Sequence, residues 1–185
     1  MKLGEGKRRV YELLDEYGDG SGVDEELEIK MAGLFDMAQK QVAQLQPIVR
    51  IWPVERVDGV TEYAMPQDFR TLRRVWADGK VTRRYRWRAG KIRLPEDGAA
   101  VEVEYNATPQ TINDETPDEY IFEVSEEAAA AMPFFVAAMT LAADMVQNGD
   151  RLLGMYNIMI GSLETGEQGG TSARQALFRG WNHGN

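Results

Sequence analysis

Apolar residues recur at three- and four-residue steps in four stretches of the chain, the spacing of helices that bury one face. The first stripe is Val10, Leu13, Leu14 and Tyr17. After a Gly18-Asp19-Gly20-Ser21-Gly22 breaker, a second helix is predicted over about residues 24–46. It carries Leu27, Met31, Leu34, Phe35, Ala38, Val42 and Leu45 in step, and Pro47 ends it. The third stripe is Met132, Phe135, Met139, Ala142 and Val146, with Ser125 as N-cap and Glu126 and Glu127 where the helix dipole favours negative charge. The fourth is Leu152, Leu153, Met155, Tyr156, Met159, Ile160 and Leu163. Asn148-Gly149 is expected to stop the third helix and Asp150 to cap the fourth. The pair then forms an antiparallel hairpin rich in Ala and Met, small and adaptable residues that let helices approach closely.

Between these helical blocks the period falls to two. Strands are predicted at 49–52 and 54–57, with Pro53 between them, at 61–65, 72–77, 81–87 and 91–94, and at 100–105. The last is the cleanest alternation, Ala100-Val101-Glu102-Val103-Glu104-Tyr105. Asp58-Gly59, Asp78-Gly79, Ala89-Gly90 and Pro95-Glu96-Asp97-Gly98 supply turns. The class is therefore α+β. Two N-terminal helices (1–47) and the C-terminal hairpin (125–164) are expected to form a helical bundle. A small antiparallel β-sandwich or barrel (48–107) is inserted into it. An acidic, Pro-containing connector (108–124) leads back to the helices, and an extended, flexible arm (165–185) follows Gly166, Gly169 and Gly170.

Charge changes this picture in one place. Residues 70–93 hold ten basic side chains against the single acid Asp78, a local +9 in a chain whose net charge is −9, which leaves −18 for the remainder. Arg73, Arg74, Arg83, Arg84, Arg86 and Arg88 mark a candidate basic β face, open to three readings: a solvated surface, a contact with an acidic neighbour, or a nucleic-acid interface. Trp76, Tyr85 and Trp87 lie among these cations, and stacking platforms for single strands combine such residues. Alternation along one strand favours the aromatics as core and the arginines as surface. The arm carries two arginines and three large apolar residues, Arg174, Leu177, Phe178, Arg179 and Trp181, typical interface anchors.

Composition closes off most chemistry. Cys is absent, so disulfides and thiolate metal sites are excluded. His183 is the only histidine, which argues against Ser-His-Asp nucleophile systems and His-based metal sites. Neither a Walker loop nor a GxGxxG fingerprint is present. Counted from Asp15, Asp19, Gly20 and Glu26 fall at calcium-loop positions, but Tyr17 and Gly22 occupy two others, so a plain Gly/Asp turn is the preferred reading. No cofactor, no metal and no enzymatic activity are expected. No apolar run is long enough to span a membrane, and no secretory signal pattern opens the chain.

Tyr63-Ala64-Met65-Pro66-Gln67-Asp68-Phe69, followed by Leu72 and Val75, resembles the Y-x-x-P-x-D-F element of the tailed-bacteriophage head-to-tail connector (adaptor) proteins. The resemblance continues through Val101–Tyr105, Pro109 and Thr116-Pro117-Asp118. It ends at the helix from Ala131 to Ala138, with its internal Pro133, and at Met155-Tyr156-Asn157. It implies a homo-oligomeric ring, typically of twelve subunits, in the virion neck below the portal protein. The ring extends the channel for double-stranded DNA and offers an attachment site to the next neck or tail protein. Synthesis in the host cytoplasm and a C-terminal arm that docks on the portal are further implications. An acidic channel wall would repel DNA phosphate and let the duplex slide.

Overall fold

The structure, a computed structural model, describes residues 1–17, 25–94, 100–142 and 145–166. It is mixed α+β, with four helices and seven antiparallel strands among the described residues. The chain divides into two compact units, Met1–Gln46 with Thr111–Asn185, and Pro47–Gln110.

The first unit contains α1 (Leu3–Tyr17), α2 (Glu25–Leu45), α3 (Glu126–Leu141) and α4 (Val146–Gly166). Helix α3 packs against each of the other three. Its Ala128, Ala129, Ala131, Met132, Pro133, Phe135, Val136, Ala137, Ala138 and Leu141 are all buried. A helix enclosed over most of its surface has no polar face to display, so its sequence is apolar nearly all round. Ser125 caps it, accepting from the Ala128 amide at 3.2 Å and donating to Gln46 Oε1 at 2.9 Å.

The break between α3 and α4 falls earlier than Asn148-Gly149. Helix α3 closes at Ala142, and α4 is already under way at Val146, so 147–150 lie in its first turns. The Met145 carbonyl accepts from both the Asn148 and Gly149 amides at 3.0 Å. Gly149 serves close approach instead of termination: a Cβ there would meet the Ala138 carbonyl oxygen at 3.1 Å and Ala142 Cα at 3.4 Å. Met139 and Val146, expected on the buried stripe, are exposed.

The segment after the β unit is laced onto α1 and α2. The Leu3 amide donates to the Tyr120 carbonyl, the Gly4 amide to that of Asp118, and the Phe122 amide to that of Met1. Gly4 and Gly6 face Asp118 and the Phe35–Phe122 ring pair so closely that side chains there would collide. On α2, fully buried Gln39 accepts from the Glu123 amide at 2.9 Å and donates to the Tyr120 hydroxyl at 3.1 Å. Asp36 accepts from the Ile112 amide at 3.0 Å.

The second unit holds β1 (Ile48–Val54), β2 (Glu62–Ala64), β3 (Phe69–Ala77), β4 (Lys80–Thr82), β5 (Arg86–Arg88), β6 (Lys91–Arg93) and β7 (Val101–Ala107). They form a four-stranded sheet ordered β1-β7-β3-β4 and a three-stranded sheet ordered β2-β6-β5. These are two open sheets, so the barrel alternative does not hold. Strand β2 pairs with β6, not with β1, and the stretch expected as one strand over 81–87 divides into β4 and β5, which belong to different sheets. Val54, Val75, Val101 and Val103 of one sheet share a core with Ile92 and Leu94 from the other. Outer strand β1 contains Pro53 and leaves Val49 and Ile51 exposed. The β3–β4 and β5–β6 turns have positive φ at Asp78 and Gly79 and at Ala89 and Gly90, as two-residue hairpins require.

Candidate functional site

The residues of the Y-x-x-P-x-D-F element make two separate groups of contacts on the β unit, one at the Asp58-Gly59 turn and one across β1, β5 and β7. Tyr63 of β2 donates its hydroxyl proton to the Val60 carbonyl at 2.8 Å and accepts from the Val57 amide at 3.2 Å, pinning the Asp58-Gly59 turn. The Pro66 carbonyl accepts from the Phe69 amide at 3.0 Å, and the Asp68 carbonyl from the Thr108 amide at 2.7 Å. The Asp68 carboxylate takes Arg50 of β1 as an ion pair and the Tyr105 hydroxyl of β7 at 3.0 Å. Phe69 packs its ring against Tyr105 at 5.8 Å and against Trp87 of β5 at 5.9 Å. Burial, then the hydrogen bond to Asp68, raises the Tyr105 pKa from 10.0, so the phenol stays a donor. With its carboxylate bound to Arg50 and Tyr105, Asp68 links β1 to β7.

The basic residues are divided between the two sheets of the unit. Arg73 and Arg74 belong to β3 in the four-stranded sheet, where Arg73 is paired with Glu104 at 3.1 Å and bonded to Asn106 at 3.3 Å. Arg86 and Arg88 belong to β5 in the other sheet, and Arg83 and Arg84 lie between β4 and β5. In the β5–β6 ladder Arg86 stands opposite Arg93 and Arg88 opposite Lys91. Directly opposed residues share a face, as do residues two apart, so these four cations occupy one side of the sheet. Trp87 and Ile92, opposed in the same ladder, occupy the other. Arg83, Arg84, Tyr85, Arg86, Arg93 and Leu94 line an open cleft of about 470 Å³ at its border. The charge pattern of the segment includes Lys91 and Arg93 without distinguishing them; only the strand register brings them onto Arg88 and Arg86.

The arm residues Arg174, Leu177, Phe178, Arg179 and Trp181 lie outside the described residues, as do Asp19 and Gly20 of the turn weighed as a calcium loop. Among the described residues there is no group of three or more His, Cys, Asp or Glu able to hold a metal ion, and no helix is long and apolar enough to cross a membrane. Tyr11 and Tyr156 resemble Tyr105 in their electrostatics. Burial raises both pKa values, and for Tyr11 the hydrogen bond to Glu28 at 2.9 Å adds to it.

No protein-family model matches the chain, and a search of curated proteins finds no match.

Proposed function

We propose that this chain is a structural subunit of the head-to-tail junction of a tailed bacteriophage. In this reading a helical bundle with an inserted β-sandwich assembles into a ring under the portal protein, extends the DNA channel and receives the next neck or tail protein. The observation that carries it is the Tyr63, Pro66, Asp68 and Phe69 element, in its place between two N-terminal helices and an Ala/Met-rich helical pair. Asp68 and Phe69 of the element contact β1, β5 and β7, and Tyr63 and Pro66 fix the turns on either side, a structural use for each residue.

Large apolar side chains left in solvent on the helices give further support. Ile29 and Met37 lie on α2, with Gly33 between them facing open space, and Ile158 lies on α4 beside Gly154 and Gly161, also open. Such side chains suit burial against a neighbouring subunit, where a ring requires two different complementary faces. The arm residues Leu177, Phe178 and Trp181 serve as portal anchors in this scheme, and the mature location is the virion neck.

Electron microscopy of the purified chain, alone and mixed with its portal, tests the reading. Rings or decorated portals are expected, and monomers in both samples would overturn it. Replacing Phe178 and Trp181 by Ala is expected to abolish portal decoration while the circular dichroism spectrum stays unchanged.

A further inference from the structure

We infer that the cation lattice of β5 and β6 is a binding site for the phosphodiester backbone of nucleic acid, read by charge and not by base. Its members are Arg86, Arg88, Lys91 and Arg93, with Arg83 in the adjoining cleft. The inference is independent of ring assembly.

Three observations carry it. First, the lattice opposes like charges directly, Arg86 to Arg93 and Arg88 to Lys91, an arrangement that weakens a sheet. Within the same unit, structural arginines are given acids: Arg50 has Asp68 and Arg73 has Glu104. Across the three-stranded sheet the lattice faces a single carboxylate, Glu62 opposite Arg93. None of Arg83, Arg86, Arg88, Lys91 and Arg93 forms an ion pair among the described residues. All five are exposed.

Second, the geometry suits a polymeric anion. Residues two apart on a strand are separated by about 7 Å, and strands by about 4.8 Å, so the lattice is a small grid of closely spaced positive charge. Duplex DNA presents one phosphate per about 1.7 Å of axis, a density that dispersed surface carboxylates of a folded protein do not match. Four of the five cations are arginines, whose planar fork donates two hydrogen bonds to one phosphate.

Third, the side of the sheet that carries the lattice presents no aromatic ring; Tyr85 lies in the border cleft. Trp87 points to the opposite side of the sheet and packs on Phe69 at 5.9 Å, and Tyr85 packs against the β core. Contacts to phosphate alone carry no sequence information, so duplex and single strand of any sequence should bind.

The test is fluorescence anisotropy with the full chain and a labelled random-sequence duplex of about 30 base pairs, over a salt series starting near about 50 mM. Binding is expected to weaken linearly in log–log form. The double variant Arg86→Gln/Arg93→Gln is expected to lower affinity at least about tenfold and reduce the magnitude of the salt slope by about two. The same variant should unfold at higher urea, because an opposed like-charge pair is gone; a merely structural pair would move stability the other way. Arg73→Gln, outside the lattice, should bind within about twofold of the parent. Absence of binding at low salt, or full binding by the double variant, overturns the inference. So does dissociation of self-associated chains in the double variant with DNA binding intact, which would give the lattice to an acidic face of a second copy.

Discussion

The Asp68 carboxylate links β1 to β7 just ahead of β3. It accepts from Arg50 and Tyr105, and the Asp68 carbonyl holds Thr108. Asp68→Ala strands a partly buried guanidinium and a phenol, and is expected to destabilise this unit by about 1–2 kcal/mol, discounted for the partial exposure of the pair. Urea unfolding followed by tryptophan fluorescence checks this, since Trp52, Trp76 and Trp87 all lie in the unit. The same scale governs alkaline behaviour. Tyr11, Tyr105 and Tyr156 all have pKa values raised above 10.0, burial being the largest cause in each. The unfolded chain therefore sheds these protons first, so their contribution to stability is intact below about pH 10 and drains away as pH climbs further. Tyr156→Phe is expected to flatten the fall in urea midpoint above about pH 10. Spacing identified most of the α2 core but not Gln39, because a polar residue on an apolar stripe reads as an interruption. Its role is set by a backbone amide far along the chain, at Glu123.

The helices were legible because their periodicity is local. α2 is predicted at about 24–46 and found at Glu25–Leu45, where Pro47 and the fading stripe set the end. The α3–α4 junction departs from the pattern of the sequence because of Gly149. Asn-Gly signals a helix stop when only the backbone is considered, but the missing Cβ of Gly149 instead admits the Ala138 carbonyl and the Ala142 backbone. Gly149→Val is accordingly expected to cost about 1–3 kcal/mol through overpacking, measured as a lower midpoint in thermal or urea melts monitored by helical circular dichroism. If Asn148-Gly149 were a terminator, the same change would lengthen helix instead. In the β unit, most strands followed from alternation and turn residues, but the strand expected at 54–57 is absent: β1 runs through Pro53 and ends at Val54. Partner choice did not follow: β2 joins β6 across a long stretch of chain, and nothing in local pattern encodes that register.

Over the whole molecule, charge is unevenly spread: residues 47–110 of the β unit hold twelve basic against nine acidic side chains, and the helical unit nine against twenty-one. Opposed cations in β5 and β6 make the β unit's stability depend on ionic strength. Raising sodium chloride from about 0.02 to 0.5 M shortens the screening length from roughly 20 Å to about 4 Å and is expected to raise the tryptophan-monitored urea midpoint. A falling midpoint would mean that attractive pairs, such as Arg50–Asp68 and Arg73–Glu104, dominate the unit's electrostatics. The sequence foretold the excess charge of residues 70–93 but spread it over one face. The division into two sheets, which assigns Arg73 to a carboxylate and Arg86 to another arginine, depends on pairing that only the folded chain displays.

Pro53 in outer strand β1 has a consequence for solubility. Val49 and Ile51 give that strand two greasy, outward side chains, the makings of a template on which further chains could stack edge to edge. A ring nitrogen with no hydrogen to give interrupts such a template, so restoring an ordinary amide at position 53 would open a route to fibrous precipitation that the native chain keeps shut.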